Sequence, residues 1–151
     1  MGCFATGVTV VTTKHHHEFY GLTVNSFTSV SLEPMLILIN VEKRAFTHDK
    51  ILHAKCFAVN ILTNQQKELS RRFAQSSDVS KFSGLDIYEG KTGAPIIQGS
   101  FAYLDARVAR IYEGGDHTMI VGEVIDMGIL NEHAQPLLYY HSQYYDIGGA
   151  H

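Results

Sequence analysis

The chain has 151 residues, 45% hydrophobic and 18% charged, which is typical of a soluble globular protein and predicts a single domain over residues 1–151. Its formal net charge of -3 gives no basic field to attract a phosphate backbone, so we expect no nucleic-acid partner. The longest apolar run, residues 35–39, is too short to cross a bilayer, and no secretory n-region precedes it, so we expect no membrane association and a cytoplasmic location.

The first third of the chain predicts strands. Residues 8–13 are rich in β-branched side chains, which suit a pleated, half-buried surface. Residues 14–19 predict a polar turn whose tip carries three histidines, and residues 20–27 return as a second strand. The apolar run 35–41 lacks alternation, which predicts a central strand covered on both faces.

Two short helices are predicted. Thr47 can cap the first, because Phe46 and Ile51 fall at the positions of a hydrophobic staple, and this helix should end near Lys55. After a strand over residues 57–62, a capping box opens the second helix.

That box is formed by Thr63 and Gln66, which have the Thr-x-x-Gln spacing. Leu69 and Phe73, four residues apart, give the second helix an apolar stripe. The polar segment 75–80 is predicted to end it.

The C-terminal third has a period of two. Ala102, Leu104, Ala106 and Val108 face one way, whereas Asp105 and Arg107 face the other, which predicts a long, half-exposed strand. Residues 114–117 supply a turn, 118–125 a returning strand, and 136–140 a final short strand.

Many strands and only two short helices do not fit a doubly wound sheet. We therefore predict a mainly β fold, an antiparallel split β-barrel of the Greek-key type with two or more short helices.

Several familiar motifs are absent or incomplete. No Gly-x-Gly-x-x-Gly stands between a strand and a helix, and the P-loop-like residues Gly90 to Thr92 have Leu85 where the phosphate cradle requires glycine. Adjacent histidines at 15–17 cannot converge on a tetrahedral ion without distortion, so we expect no metal site. No Gly-x-Ser-x-Gly elbow supports hydrolytic chemistry.

Three polar segments are candidates for binding. Residues 23–31 place hydroxyl and amide side chains after a strand, where turn formation and ligand binding remain alternatives. Lys43 and Arg44 precede a helix, where they form either a phosphate site or a solvated basic turn. His117 stands in a turn, where a histidine is more often solvent-exposed than catalytic.

The order of several blocks resembles the flavin reductase family of split-barrel proteins. The blocks are FATGVTVVTT at 4–13, GLTVNSFTSVS at 21–31, FAVNIL at 57–62, GGDH at 114–117 and LLYY at 137–140. The resemblance covers nearly the whole chain.

The resemblance implies a set of site residues. Those placed along the isoalloxazine ring are Thr23, Val24, Asn25 and Ser26. Those placed at the ribityl and phosphate groups are Ser29, Val30, Ser31, Asn40, Val41, Lys43, Arg44 and Ala45, with Arg44 at the phosphate. Phe82 is placed near the flavin, and His117 and Tyr144 at the nicotinamide, where His117 would position the ring or act electrostatically.

The function so implied is NAD(P)H:flavin oxidoreductase, with FMN or FAD accepting a hydride from NADH or NADPH. The resemblance also implies a homodimer and a partner monooxygenase that receives reduced flavin. A non-catalytic FMN-binding protein or electron carrier, or an interaction module without flavin, remains an alternative.

Overall fold

Three antiparallel sheets carry the fold in this computed structural model, which describes residues 2–75 and 79–148. The strands are β1 (Thr6–Gly7), β2 (Thr9–His15), β3 (Glu18–Val24), β4 (Thr28–Leu32), β5 (Met35–Glu42), β6 (Cys56–Ile61), β7 (Ile87–Glu89), β8 (Pro95–Ile97), β9 (Ala102–Gly114), β10 (His117–Ile129), β11 (Leu138–Tyr140) and β12 (Gln143–Tyr145). The helices are α1 (Phe46–Ala54) and α2 (Lys67–Ala74), with single 3-10 turns at Asn64–Gln66 and Val79–Phe82. No helix in the described ranges is both long and apolar enough to cross a membrane.

The main sheet has seven strands in the order β3-β2-β6-β9-β10-β5-β4. It curls until β3 approaches β5, although these two strands do not pair. The gap is bridged by Ser26, whose hydroxyl donates to the carbonyl of Asn40 at 2.9 Å. This arrangement confirms the predicted antiparallel split barrel.

The core lies inside the curled sheet. Ile37, Ile39 and Val41 of β5 point into it and are almost completely buried, together with Phe57 and Ile120. The alternate side chains of β5 are only half-buried, so the prediction of a strand fully covered on both faces is wrong. The β-branched and long aliphatic side chains had masked the alternation.

The β2–β3 hairpin is tighter than predicted. The ladder continues to the pair His15 and Glu18, which leaves only His16 and His17 as the turn. Both have positive φ, 48° and 68°, as a two-residue type I′ turn requires. The polar side chains of 14–19 favoured a loop, but the backbone groups there still find partners across the hairpin.

Strand β9 runs up to the predicted turn, whereas β10 is longer than predicted, since it continues to Ile129 and not only to residue 125. Residues 109–114 of β9 are exposed, so hydrophobic alternation cannot reveal that part of the strand. The hairpin closes through Gly115 and Asp116, and the φ of 76° at Gly115 matches the first position of a type II′ turn.

Helix α1 begins differently from the prediction. Ala45, not Thr47, is the N-cap, and the hydroxyl of Thr47 donates instead to the carbonyl of Gly21 at 3.2 Å. Phe46 is 54% exposed and packs against the Tyr20 ring, so no hydrophobic staple forms. The end near Lys55 is confirmed, with Lys55 in the left-handed conformation.

Helix α2 follows the predicted capping box. The side chain of Gln66 accepts the N–H of Thr63 at 2.9 Å. Phe73 is buried against β3, where a Cβ on Gly21 would lie 2.7 Å from the ring. The predicted terminating segment 75–80 includes residues 76–78, which lie outside the described residues.

The predicted exposure of Asp105 is wrong. Its side chain is completely buried and accepts hydrogen bonds from the N–H of Thr92 at 2.9 Å and from its hydroxyl at 2.5 Å. The segment around Gly90 covers this face of β9 so closely that a Cβ there would meet the carboxylate. Arg107, on the same face, is exposed as predicted.

Candidate functional site

A cleft of about 720 Å³ opens where the barrel is split. Its walls are the end of β3 with the following loop, the end of β5, the first turn of α1 and the end of α2. The volume lies within the range typical of sites for small molecules and cofactors.

One wall consists of the polar segment after β3. Thr23, Val24, Asn25 and Ser26 all line the cleft. Two of them are anchored to the scaffold, since Thr23 donates to the carbonyl of Ser70 at 2.6 Å and Ser26 donates to that of Asn40. The wall therefore presents hydroxyl and amide groups at positions held by the barrel and α2.

The opposite wall is the basic loop before α1. Asn40, Arg44 and Ala45 line the cleft with the first residues of α1, Phe46 and Thr47. The first-turn amides of a helix carry partial positive charge, which the guanidinium of Arg44 reinforces. This end of the cleft is suited to an anion.

Lys43 lies outside the cleft although it neighbours Arg44. Its ammonium group lies 2.5 Å from the Glu113 carboxylate on β9. The hydrogen bond and charge of Lys43 hold the pKa of Glu113 below its ordinary value. Lys43 thus joins the loop after β5 to the β9–β10 hairpin.

The other residues implied by the resemblance are divided between core and surface. Val41 is completely buried in the core, and Ser29 to Ser31 lie on β4, an edge strand of the main sheet. Phe82 packs edge-on against Phe73, with ring centroids 5.0 Å apart. None of these lines the cleft of the single chain.

His117 is the first residue of β10 and lines the cleft. Its Nδ1 lies 2.7 Å from the carboxylate of Asp116, whose pKa is lowered by this hydrogen bond and by the charge of His117. The carbonyl of Asp116 accepts the N–H of Lys43 at 3.0 Å. The turn that carries His117 is thereby tied to the basic loop.

Tyr144 lines a second pocket of about 220 Å³ instead. Its hydroxyl lies 2.7 Å from that of Ser70, and the Arg71 guanidinium lies 5.4 Å from its ring centroid. The two pockets share three lining residues, Thr23 and Asn25 among them, so they are adjacent.

Lys81 is a lining residue that sequence reasoning missed. It is buried, and its ammonium group donates to the carbonyl of Gln75 at 2.5 Å and to that of Phe73 at 3.5 Å. It therefore stabilises the C-terminal end of α2 at the cleft. Its position beside Phe82 was the available signal, but a lysine there suggests solvent exposure.

The histidines of the β2–β3 turn form no metal centre with their neighbours. The ring of His15 lies 3.9 Å from that of His16 and 5.6 Å from that of His53. Across residues 2–75 and 79–148, no three His, Cys, Asp or Glu side chains are grouped to hold an ion.

Known proteins with similar sequences and folds include flavin reductases. Residues 1–148 match the family described as Flavin reductase like domain. The chain is 39% identical over 145 residues to the reductase subunit HsaB of a flavin-dependent monooxygenase from Mycobacterium tuberculosis, which covers 95% of this chain and 77% of that protein. It is 47% identical over 128 residues to an NADH-dependent FAD reductase from Streptomyces globisporus, covering 82% and 70% of the two chains.

The fold gives the same result. The structure of the Streptomyces globisporus NADH:FAD oxidoreductase SgcE6, in complex with NAD and FAD fragments, superposes with a TM-score of 0.91 at 41% identity, covering 97% of this chain and 88% of that one. From its sequence, its split barrel and these relatives, the chain belongs to the flavin reductase family.

Proposed function

We propose that this protein is an NAD(P)H:flavin oxidoreductase that moves a hydride from NADH or NADPH to FMN or FAD. The observation that carries the proposal is the single cleft that brings together the polar wall after β3, the basic start of α1 and His117. The relatives named as NADH-dependent reductases of FAD and FMN favour turnover over a carrier role.

The residues present fit a flavin. The hydroxyl and amide groups of Thr23, Asn25 and Ser26 suit the polar edge of the ring system, and Arg44 with the first turn of α1 suits a phosphate. When bound, the flavin supplies the two-electron acceptor for the hydride. No acid or base of the protein is needed for that transfer, so the chain's task is to bind and orient.

His117 would orient the nicotinamide. Because a carboxylate only accepts, the proton shared with Asp116 lies on Nδ1 of His117. Nε2 is then the ring atom left for a ligand in the cleft. Asp116 and the backbone bond from Lys43 hold the imidazole in place.

Reduced flavin would pass to a monooxygenase. Relatives at 39% and 40% identity are named as reductase components of flavin-dependent monooxygenases. The match over residues 1–148 also supports a single domain.

A homodimer is part of the proposal. Edge strand β4 exposes Val30 and Leu32, the latter 86% exposed, together with unpaired backbone groups that another chain can cover. The same strand carries Ser29 and Ser31, which do not line the cleft of the single chain but would contact the flavin if it lay at the subunit interface. Replacing Leu32 with Glu should shift the mass measured by light scattering from dimer to monomer. An unchanged mass would remove β4 from the interface.

The function is tested by steady-state oxidation of NADH and NADPH with FMN, FAD or riboflavin. Oxidation should require added flavin and weaken in His117→Ala. His133→Ala is the matched control, since His133 is 92% exposed on a loop away from the cleft. Flavin binding without oxidation of either nucleotide would contradict the enzyme assignment.

A further inference from the structure

We propose that His48 is a positioning residue that connects the start of α1, at the anion end of the cleft, to the strand that carries His117. This inference rests on the proposed function. Nothing in the sequence singles out His48, because it stands in a helix among mixed polar and apolar residues.

His48 is buried in the first turn of α1, with 7% of its surface exposed, and both ring nitrogens are bonded. Nδ1 lies 2.7 Å from the carboxylate of Asp49, and Nε2 lies 2.8 Å from the hydroxyl of Thr118. The carboxylate of Asp49 only accepts, so Nδ1 carries a proton, and the Thr118 hydroxyl, which can donate or accept, pairs with Nε2. The imidazole is therefore held at both of its nitrogens.

Thr118 directly follows His117 in β10 and is buried. On the other side of His117, Asp116 accepts the backbone N–H of Lys43. His117 is thus held from both sides, by α1 through Thr118 and by the basic loop through Asp116. Both contacts come from the segment that provides the proposed phosphate site.

An apolar side chain would satisfy packing at position 48 at lower cost, since a buried imidazole must have its nitrogens bonded. The imidazole contributes a defined geometry, because its hydrogen bond to Thr118 fixes the distance and angle between α1 and β10. Small displacements of an orienting group are costly for hydride transfer, which depends on near-contact geometry.

The test compares Thr118→Val, which keeps the shape and removes the hydroxyl, with Thr118→Ser, which keeps the hydroxyl. Thr13→Val is the matched control. Thr13 is buried like Thr118, but its hydroxyl donates to the carbonyl of Cys56 and it does not line the cleft. At metal sites, removing a group that orients a ligand residue typically lowers affinity or activity by about 10- to 100-fold, and we take the lower end as the guide for His117. We expect kcat/KM for NADH to fall about tenfold in Thr118→Val, with the flavin Kd unchanged.

Thr118→Ser should retain most of the wild-type kcat/KM for NADH. Thr13→Val should be less stable than the wild type but should have an unchanged kcat/KM. His48→Leu removes the same bond from the other side and should reproduce the Thr118→Val kinetics, whereas His48→Gln offers an amide to Thr118 and should retain activity. If Thr118→Val does not fold, the two His48 variants still test whether the bond between His48 and Thr118 positions His117.

Binding of NAD⁺ to the protein loaded with oxidised flavin, measured by calorimetry, needs no turnover. A weaker NAD⁺ affinity in Thr118→Val or His48→Leu than in Thr13→Val supports the positioning role even if the wild type fails to oxidise NADH. That failure would overturn the reductase proposal alone. Equal NAD⁺ affinity and equal kcat/KM in these variants and the wild type would overturn the role of His48.

Discussion

The hydroxyl of Ser26 donates to the carbonyl of Asn40 at 2.9 Å and accepts the N–H of the same residue, with the nitrogen 3.3 Å from Oγ. These bonds span the split between the loop after β3 and strand β5, where sheet hydrogen bonds are missing. One serine thus holds the two walls of the cleft at a set separation.

Ser26→Ala should therefore loosen the cleft. Both backbone groups of Asn40 lose a partner, so we expect a loss of about 1 kcal/mol in the free energy of unfolding. The flavin Kd should rise, because the walls are no longer tied. Urea denaturation and fluorescence titration of flavin measure the two effects.

Ser83→Ala is the control for that change, since Ser83 is exposed near the end of a 3-10 turn. If Ser26→Ala matched this control in both stability and flavin affinity, the bridge would have no role in the site.

Gly21→Ala should destabilise the fold through overpacking. The new Cβ would lie 2.7 Å from the Phe73 ring and 3.2 Å from the Val11 carbonyl. Overpacking of this kind costs about 1–3 kcal/mol. Gly7→Ala provides the comparison, because its Cβ would meet nothing within 4 Å. The midpoint of thermal unfolding should fall for Gly21→Ala alone, and Phe73→Leu in the same chain should recover part of the loss.

Arg44 and Lys43 should differ in their effect on phosphate binding. Arg44 lines the cleft, whereas the ammonium of Lys43 is paired with Glu113. Hydrogen bonds to charged groups contribute about 1.5–3 kcal/mol, so Arg44→Ala should raise the Kd for FMN by about tenfold or more. Riboflavin has no phosphate and should bind this variant as it binds the wild type.

Lys43→Ala should leave the affinities for FMN and riboflavin nearly unchanged. If Arg44→Ala raised the Kd values for FMN and riboflavin equally, Arg44 would maintain the shape of the cleft and would not bind the phosphate.

The pair Asp116 and His117 should be visible in a titration. The pKa of Asp116 is lowered in the folded protein by its hydrogen bond to His117 and by the charge of that ring. Because the pKa of this carboxyl is lower in the folded than in the unfolded protein, where it is about 3.9, the ionised carboxyl stabilises the fold above that pH. This stabilisation is lost as the pH falls through the pKa of the folded protein. In carbon-detected NMR the Asp116 carboxyl should titrate below that of an ordinary aspartate.

In His117→Ala the titration of Asp116 should return toward the ordinary value. An unchanged titration in this variant would show that the imidazole does not interact with Asp116 in solution.

Features set by neighbours in the chain could be predicted. The capping box of Thr63 and Gln66 and the turn at Gly115 depend on groups a few residues apart, so their residue types are sufficient. Short strands such as β7 and β8 were not predicted, because three residues show no period.

Periodicity, turn chemistry and ordered blocks of residues were sufficient to predict the longer strands, the two helices, the split-barrel class and the family. Contacts between distant segments of the chain had to be seen to know that Arg44 lines the cleft while Lys43 pairs with Glu113. The same holds for Lys81, which lines the cleft while Phe82 packs on Phe73, and for the burial of Asp105. The physical reason is that periodicity tells which face a side chain occupies, whereas its function depends on which distant segment of the chain covers that face.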